Sequence, residues 1–342
     1  MNKCIKFCNI IPPNFEYMKE LLNTHSFKKQ VSNFGPLYFL LKEKLIEYFN
    51  LDSSKSVVIT SSGHTALMAA LASVNAKHVL VPSYTFASTL QAATLQGINY
   101  TIVDVELDTG IPSLETIASH KDAFDTLLLV CPLSCVNPNL ADYEEWCEKN
   151  NKKLVIDGAA TFGTPGEHLR YGDAYCMSFH ATKSLPVGEG GCVICPKGKE
   201  KDIMQYINFG TGKDKRILSS GLNAKVSEYT CAIALALLAR IGIHMVLRKI
   251  NSDMFQYNLK YPTLLSIEEN IYASYPIYLP SKEEALEKIQ ILKQNNIEVI
   301  QYYVPLEKTK NAVSLYERSV CLPCHSYVSA NDCLQIIRII NE

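Results

Sequence analysis

Lys183 stands in the segment SFHATKSLPVGEGGCVI (178–194), between two apolar runs that read as strands, AYCMSFH and GGCVIC, and just ahead of a glycine-rich turn, GEGG (188–191). Lysine is the side chain that forms Schiff bases with carbonyl compounds, and glycines let a backbone come close to a ligand. A lysine in a loop is ordinarily a solvated charge, so its position between strands is what favours chemistry. Upstream, Asp157 closes the run KKLVID. A Schiff-base lysine and an acid to pair with a pyridinium nitrogen are what pyridoxal phosphate chemistry requires, because the protonated ring is the sink for carbanion electrons. Taken alone, Asp157 also reads as a helix cap following a strand.

A phosphate group needs its own cradle. In TSSGHTALMAALAS (60–73) a turn of small residues opens directly into a helix, which exposes unpaired backbone amides and the positive end of the helix dipole. Ser178 is placed to add a hydroxyl to the same phosphate. In VPSYTF (81–86), Tyr84 or Phe86 would cover a flat ring, and either would serve equally well as core.

These residues sit at the ends of regular elements. The runs VVIT (57–60), KHVLVP (77–82), NYTIVDV (99–105), DTLLLVC (125–131) and KKLVID (152–157) alternate with helical patterns beginning near His64, at SYTFASTLQAATLQG, PSLETIASH and LADYEEWCEKNN. Unbroken Val/Ile/Leu strands separated by helices predict a mostly parallel sheet covered on both faces. Ligands of such sheets bind at the carboxyl ends of the strands, where Asp157 and Ser178 fall. After residue 225 the texture changes. A long helix (about 227–248), the segment YPIYLP, an amphipathic helix SKEEALEKIQILKQNN, a strand IEVIQYY and a final helix near 329–341 predict a smaller α+β unit. The expected division is therefore a three-layer α/β/α domain over 1–225 and a small α+β domain over 226–342, with GTGKDKR (210–216) as a surface loop.

Composition narrows the function. The 342 residues carry Lys+Arg 33 against Asp+Glu 34, a net charge of −1, without basic blocks, so nucleic acid and anionic membrane surfaces are not expected partners. With 47% hydrophobic and 20% charged residues the chain has ordinary globular usage, which excludes disorder and fibrous repeats. The apolar stretch Cys231 to Leu247 is interrupted by Arg240 and His244 and is shorter than the roughly 20 residues of a membrane span. The N-terminus, MNKCIKFCNIIPPNF, lacks a signal-peptide pattern, which predicts a cytoplasmic protein. The 12 cysteines include two C-x-x-C pairs, Cys192/Cys195 and Cys321/Cys324, the second within the haem-attachment string CLPCH. Without an export signal haem attachment is not expected, and the pairs are too far apart for a zinc ribbon. They are read as small core residues and reduced thiols, with no metal site and no cysteine at a position the chemistry needs.

Taken in order, SSGHTAL, VPSYTF, VIDGAATFG, SFHATKSLPVGEGG, GLNAKVSE and CLPCHSYVSAND resemble the DegT/StrS-type nucleotide-sugar aminotransferases, from about Gly35 to the C-terminus. The block around Lys183 is the most specific part of the match. The resemblance implies the fold of aspartate aminotransferase-type pyridoxal phosphate enzymes and a homodimer with sites at the subunit interface. It implies Lys183 as the residue that holds the cofactor and shuttles the proton, Asp157 as partner of the pyridine nitrogen, and Phe86 and Ala159 on the two ring faces. Ser178 and the amides of His64 and Thr65 would hold the phosphate, joined by Asn223 from the neighbouring subunit. His180 would face the substrate, and Tyr302 and Tyr303 match a segment near the sugar. The family usually carries Gln three residues after the aspartate, near the ring hydroxyl; here that position is Ala160. His64 stands where Thr is more usual.

The activity so implied is transfer of an amino group from L-glutamate to a keto group of a nucleotide-linked deoxy-ketosugar, by ping-pong kinetics. The form GLNAKVSE is most similar to members that aminate the 4-position of a dTDP-linked 4-keto-6-deoxyhexose, giving a 4-amino-4,6-dideoxy sugar for O-antigen or other surface polysaccharide. The 3-position and UDP- or GDP-linked sugars stay open. Dehydratase relatives carry His in place of the lysine, so Lys183 argues against dehydration. A cofactor-binding regulator without turnover is the alternative from another class, motivated by Ala160 and the short loop between Gly210 and Gly221.

Overall fold

Runs of Val, Ile and Leu form one seven-stranded sheet in the computed structural model of the chain, which describes residues 4–24 and 30–342. The elements of the first part are α1 (Phe15–Thr24), α2 (Pro36–Tyr48), β1 (Lys55–Thr60), α3 (Gly63–Ser73), β2 (His78–Pro82), α4 (Ala87–Thr94), β3 (Asn99–Val103), α5 (Leu114–Ser119), β4 (Thr126–Val130), α6 (Leu140–Lys149), β5 (Lys153–Asp157), β6 (Ala174–Ser178), β7 (Gly191–Pro196) and α7 (Glu200–Tyr206). After these come α8 (Glu228–Leu238), α9 (Ile241–Asn258), β8 (Ser274–Tyr278), α10 (Lys282–Gln294), α11 (Lys310–Arg318), β9 (Ser319–Pro323) and α12 (Ala330–Asn341). Strand order in the large sheet is β1-β7-β6-β5-β4-β2-β3. β7 runs antiparallel to both neighbours and the remaining pairs are parallel.

Side-chain alternation divides each strand between two cores. Val57 and Ile59, Leu127 and Leu129, and Leu154 and Ile156 face the core built with α1, α2 and α8; Val58, Leu128 and Val155 face the core built with α3, α4 and α7. The strands are buried on both faces, which is why they read as continuous apolar runs. The same alternation settles one cysteine pair. Cys192 lies in the first core and Cys195 in the second, on opposite faces of β7. Cys321 and Cys324 are buried in a third core, built on the antiparallel pair β8–β9 with α10, α11 and α12.

Two elements differ from the sequence reading. The expected helix over 227–248 is two helices, α8 and α9, bent by 59° at the break. The bend lets one apolar stretch serve two cores: Cys231 and Leu235 pack against the large sheet, while α9 ends with Phe255 in the small-domain core. Glu228, at the start of α8, is buried and accepts hydrogen bonds from the Leu37 and Tyr38 amides at 2.7 and 3.2 Å, which caps α2. Among the described residues no single helix is long and apolar enough to cross a membrane; only the bent α8/α9 pair together reaches that length. The expected strand IEVIQYY is absent: Ile297 bridges to Ile5 and Ile300 to Cys321, each in isolation. The Tyr302 carbonyl that would continue it accepts instead from the hydroxyls of Tyr84 and Ser319, at 2.6 and 2.9 Å.

Candidate active site

A cavity of about 350 Å³ opens at the carboxyl edge of the large sheet, between it and the third core. Asp157 ends β5, a central strand, and is 5% exposed. Its Oδ2 accepts from Thr89 Oγ1 at 2.7 Å and its Oδ1 from the Ala159 amide at 3.1 Å, and Thr89 is in turn held by Thr85 at 2.8 Å. Burial pushes the carboxyl above its ordinary range, opposed by those two donors and by the charges of Lys183 and His64. Lys183 is set by a turn in which its amide donates to the His180 carbonyl at 2.8 Å. Its amine has no hydrogen-bond or ion-pair partner among the described residues, and burial pushes the ammonium below its ordinary range against the pull of Asp157. An acid and an amine thus share one cavity, each disfavoured in its charged form until something between them supplies a partner.

The second end of the cavity is the start of α3. Ser62 caps this helix: its Oγ accepts from the Thr65 amide at 3.1 Å while Thr65 Oγ1 accepts from the Ser62 amide at 3.0 Å. This corrects one expectation. The Thr65 amide is committed to the cap, so the amides left for a phosphate are those of Gly63 and His64. Ser178, at the end of β6, accepts from the His180 amide at 3.2 Å, which leaves its hydroxyl hydrogen free to donate.

Tyr84 and Phe86 separate cleanly. Tyr84 is fully buried in the third core and its hydroxyl also meets that of Tyr278 at 3.1 Å, whereas Phe86, before the first turn of α4, is 58% exposed and lines the cavity. Ala159 and Ala160 line it as well. Tyr302 and Tyr303 form the wall toward the third core, with Tyr303 Oη accepting from the Leu133 amide at 3.3 Å. His180 reaches the mouth; its Nδ1 accepts from the Thr182 amide at 3.3 Å, which directs the Nε2 hydrogen toward Glu189, 3.9 Å away. Asn223 lies outside the cavity, exposed, its backbone bridged to Asn208.

Sequence reasoning missed several of these residues. Thr89, one turn into α4 after Phe86, was visible in the string TFAST as a polar residue facing the same way. Phe7 and Cys8 also line the cavity, and nothing in the sequence placed them there. They are carried on a strip pinned beyond α10, where Glu298 accepts from the Phe7 amide at 3.0 Å and pairs with Lys6 at 2.7 Å. Cys131 lines the cavity too, so two of the cysteines border the site; burial pushes the Cys131 thiol up to about 12. Among the described residues no group of three metal-ligating side chains comes together.

The DegT/DnrJ/EryC1/StrS aminotransferase family model matches residues 16–341. The chain belongs to this family. The aminotransferase is 27% identical over 343 residues to a dTDP-4-amino-4,6-dideoxy-D-glucose transaminase of Shigella dysenteriae, covering 92% of each chain. Its fold matches PseC of Helicobacter pylori, an aminotransferase involved in the biosynthesis of pseudoaminic acid, with a TM-score of 0.84 at 18% identity over 99% of this chain and 98% of that one. It also matches NtdA of Bacillus subtilis, solved with its cofactor PMP bound, with a TM-score of 0.82 at 17% identity over 95% and 82% of the two chains. The cofactor of the aminotransferase is pyridoxal 5′-phosphate, and the cavity suits it: two free amides and a serine hydroxyl at one end, a buried carboxylate at the other, an exposed aromatic ring on the wall and an unpartnered lysine.

Proposed function

We propose that the aminotransferase moves the amino group of L-glutamate to the keto carbon of a nucleotide-linked deoxy-ketosugar, with a dTDP-linked 4-keto-6-deoxyhexose as acceptor and a 4-amino-4,6-dideoxy sugar as product. The observation that carries this reading is the convergence of Lys183 and Asp157 in one cavity, joined to the similarity with a transaminase named for that sugar. The cofactor, when bound, supplies the electron sink. Asp157, held by Thr89 and the Ala159 amide, would pair with the cofactor's ring nitrogen and favour its protonated form. Phe86 and Ala159 would flank the ring, and the Gly63 and His64 amides with the Ser178 hydroxyl would hold the phosphate.

Lys183 Nζ, whose charged form burial disfavours, is the group in the cavity that would carry the proton between the donor's α-carbon and the cofactor, and between the cofactor and the sugar carbon. The keto acid leaves before the sugar enters, so double-reciprocal plots should be parallel. Tyr302, Tyr303 and His180 border the space left for the sugar. Asn223, exposed and outside its own cavity, suits a residue that serves the site of a second copy, and a cytoplasmic homodimer feeding surface polysaccharide or O-antigen synthesis fits this reading.

Glutamate added to the cofactor-loaded protein should shift the visible absorption to the pyridoxamine form with one equivalent of 2-oxoglutarate. A panel of dTDP-, UDP- and GDP-linked 4-keto and 3-keto sugars should then restore the band, fastest with the dTDP-linked 4-keto sugar. Absence of any glutamate-driven shift would overturn the transfer reaction in favour of a cofactor-binding regulator. Faster turnover with a UDP-, GDP- or 3-keto sugar would overturn the assigned acceptor.

A further inference from the structure

The charged groups that line the cavity are few: His64, Asp157, His180, Lys183 and Glu189. No arginine is among them, and the single lysine is the one that engages the cofactor's carbonyl. A phosphate seated on α3 would therefore meet only neutral donors from this chain, the Gly63 and His64 amides and the Ser178 hydroxyl, unless His64 supplies charge.

The geometry of His64 allows it to. The residue is the second of α3, and its side chain lines the cavity beside Gly63, Ser88 and Ser178. Its Nδ1 lies 3.2 Å from the Ser88 carbonyl oxygen. A carbonyl only accepts, so Nδ1 carries the hydrogen and Nε2 is the free ring position, with no partner among the described residues. In the neutral ring Nε2 presents a lone pair, which repels phosphate oxygens. With a second proton it becomes a charged donor to them, and histidine is the side chain whose charge changes near neutrality.

We propose that the His64 imidazole is a proton-linked ligand of the cofactor phosphate, so that phosphate occupancy draws a proton onto Nε2. This rests on the pyridoxal phosphate reading of the cavity. The other titratable groups that face the site are Asp157 from β5, Cys131 just past β4, His180 and Lys183 from the turn after β6, Glu189 from the glycine-rich turn, Cys8, Tyr302 and Tyr303; α4 contributes the Ser88 carbonyl, and the Phe86 ring precedes it. His180 is not a substitute, because its Nδ1 is engaged by Thr182 and its Nε2 faces Glu189.

Pyridoxamine 5′-phosphate forms no covalent bond with Lys183, which makes it a clean probe. It and pyridoxamine would be titrated by calorimetry into the full-length protein stripped of cofactor, in two buffers of different ionisation enthalpy, for the wild type, His64→Gln and His64→Thr. The wild type should take up a fraction of a proton more with the phosphorylated probe than His64→Gln does. Its affinity ratio between the two probes should exceed that of His64→Gln by about tenfold, the effect of a charge-assisted hydrogen bond. The phosphate's own ionisation is common to all three proteins and cancels in the comparison. Equal proton uptake and equal affinity ratios would overturn the role of His64, and so would circular dichroism-verified variants that bind as the wild type does. Failure of the wild type to bind pyridoxamine 5′-phosphate at all would instead overturn the cofactor reading.

Discussion

Gly63 backs directly onto Ser178: a Cβ at Gly63 would lie 2.7 Å from Ser178 Cβ and 3.1 Å from its Oγ. The start of α3 and the end of β6 are as close as two backbones carrying one side chain between them can be. A phosphate can therefore reach helix amides and serine hydroxyl together. Gly63→Ala should push the two apart, lowering affinity for pyridoxamine 5′-phosphate at least tenfold and costing about 1–3 kcal/mol of stability by overpacking. Titration and thermal melting of the variant check both. An unchanged affinity would show that the contact does not shape the cradle.

Asp157 provides a test in which stability and function move in opposite directions. Its carboxyl is raised by burial, so the stability it contributes to the cofactor-free chain is present at low pH and is lost as pH rises through the raised value. Asp157→Asn, which never ionises, should melt higher than the wild type at pH 8 without cofactor, and the gap should close toward pH 4. The same variant should lose at least a hundredfold in glutamate half-reaction rate, because the ring nitrogen loses its anionic partner. A variant that melts lower at pH 8 would contradict the assignment of Asp157 as a buried, weakly partnered acid.

Thr89→Val removes one of the two donors that orient Asp157. A hydrogen bond to a charged group is worth about 1.5–3 kcal/mol, and its loss should appear where the carboxylate is ionised, against bound cofactor, and least in the cofactor-free protein at low pH. The expected result is a melting temperature near wild type for the cofactor-free protein at pH 4 and at least tenfold weaker binding of pyridoxamine 5′-phosphate at pH 8. A uniform drop in stability with intact binding would make Thr89 a packing residue.

Asp104, just past β3, holds the start of α11, accepting from Thr309 Oγ1 at 2.7 Å and from the Asn311 and Ala312 amides at 2.9 and 3.1 Å. Burial pushes its carboxyl up, but these bonds and the Val105 amide outweigh it and leave it below the ordinary value of 3.8. Its stabilising contribution is thus present above that value and lost as pH falls through the lowered one. Asp104→Asn should cost about 1 kcal/mol at pH 7, with the deficit shrinking below pH 4. A deficit independent of pH would assign the effect to packing instead.

Lys183→Met should abolish reductive trapping of the cofactor by borohydride while leaving pyridoxamine 5′-phosphate binding within a fewfold of wild type. Peptide mapping of the trapped wild-type protein should place the label at residue 183. A label elsewhere would overturn the central assignment.

Legibility in the sequence followed sequence distance. The strands and the helices between them were readable because each is a local pattern: Leu127, Leu128 and Leu129 announce a strand buried on both faces without reference to anything else. Lys183, Asp157 and Ser178 were readable because a parallel sheet brings its strand ends to one edge. What could not be read were contacts made across the fold. IEVIQYY has strand composition, yet its partners, Ile5 and Cys321, lie at opposite ends of the chain and pair it one residue at a time. The bend between α8 and α9 reflects two cores competing for one apolar stretch. The commitment of the Thr65 amide was foreshadowed by Ser62 three residues earlier, a capping pattern that competes with ligand binding for the same donor.

The strip that carries Phe7 and Cys8 has a practical consequence. Strips outside helices and strands usually tolerate change because they carry variable surface rather than packed core. Here the ring of Phe7 packs against Tyr302, with centroids 6.2 Å apart, and both border the cavity that holds Lys183. A substitution or deletion within this strip is therefore an alteration of the active-site wall, made far in sequence from every residue that does the chemistry.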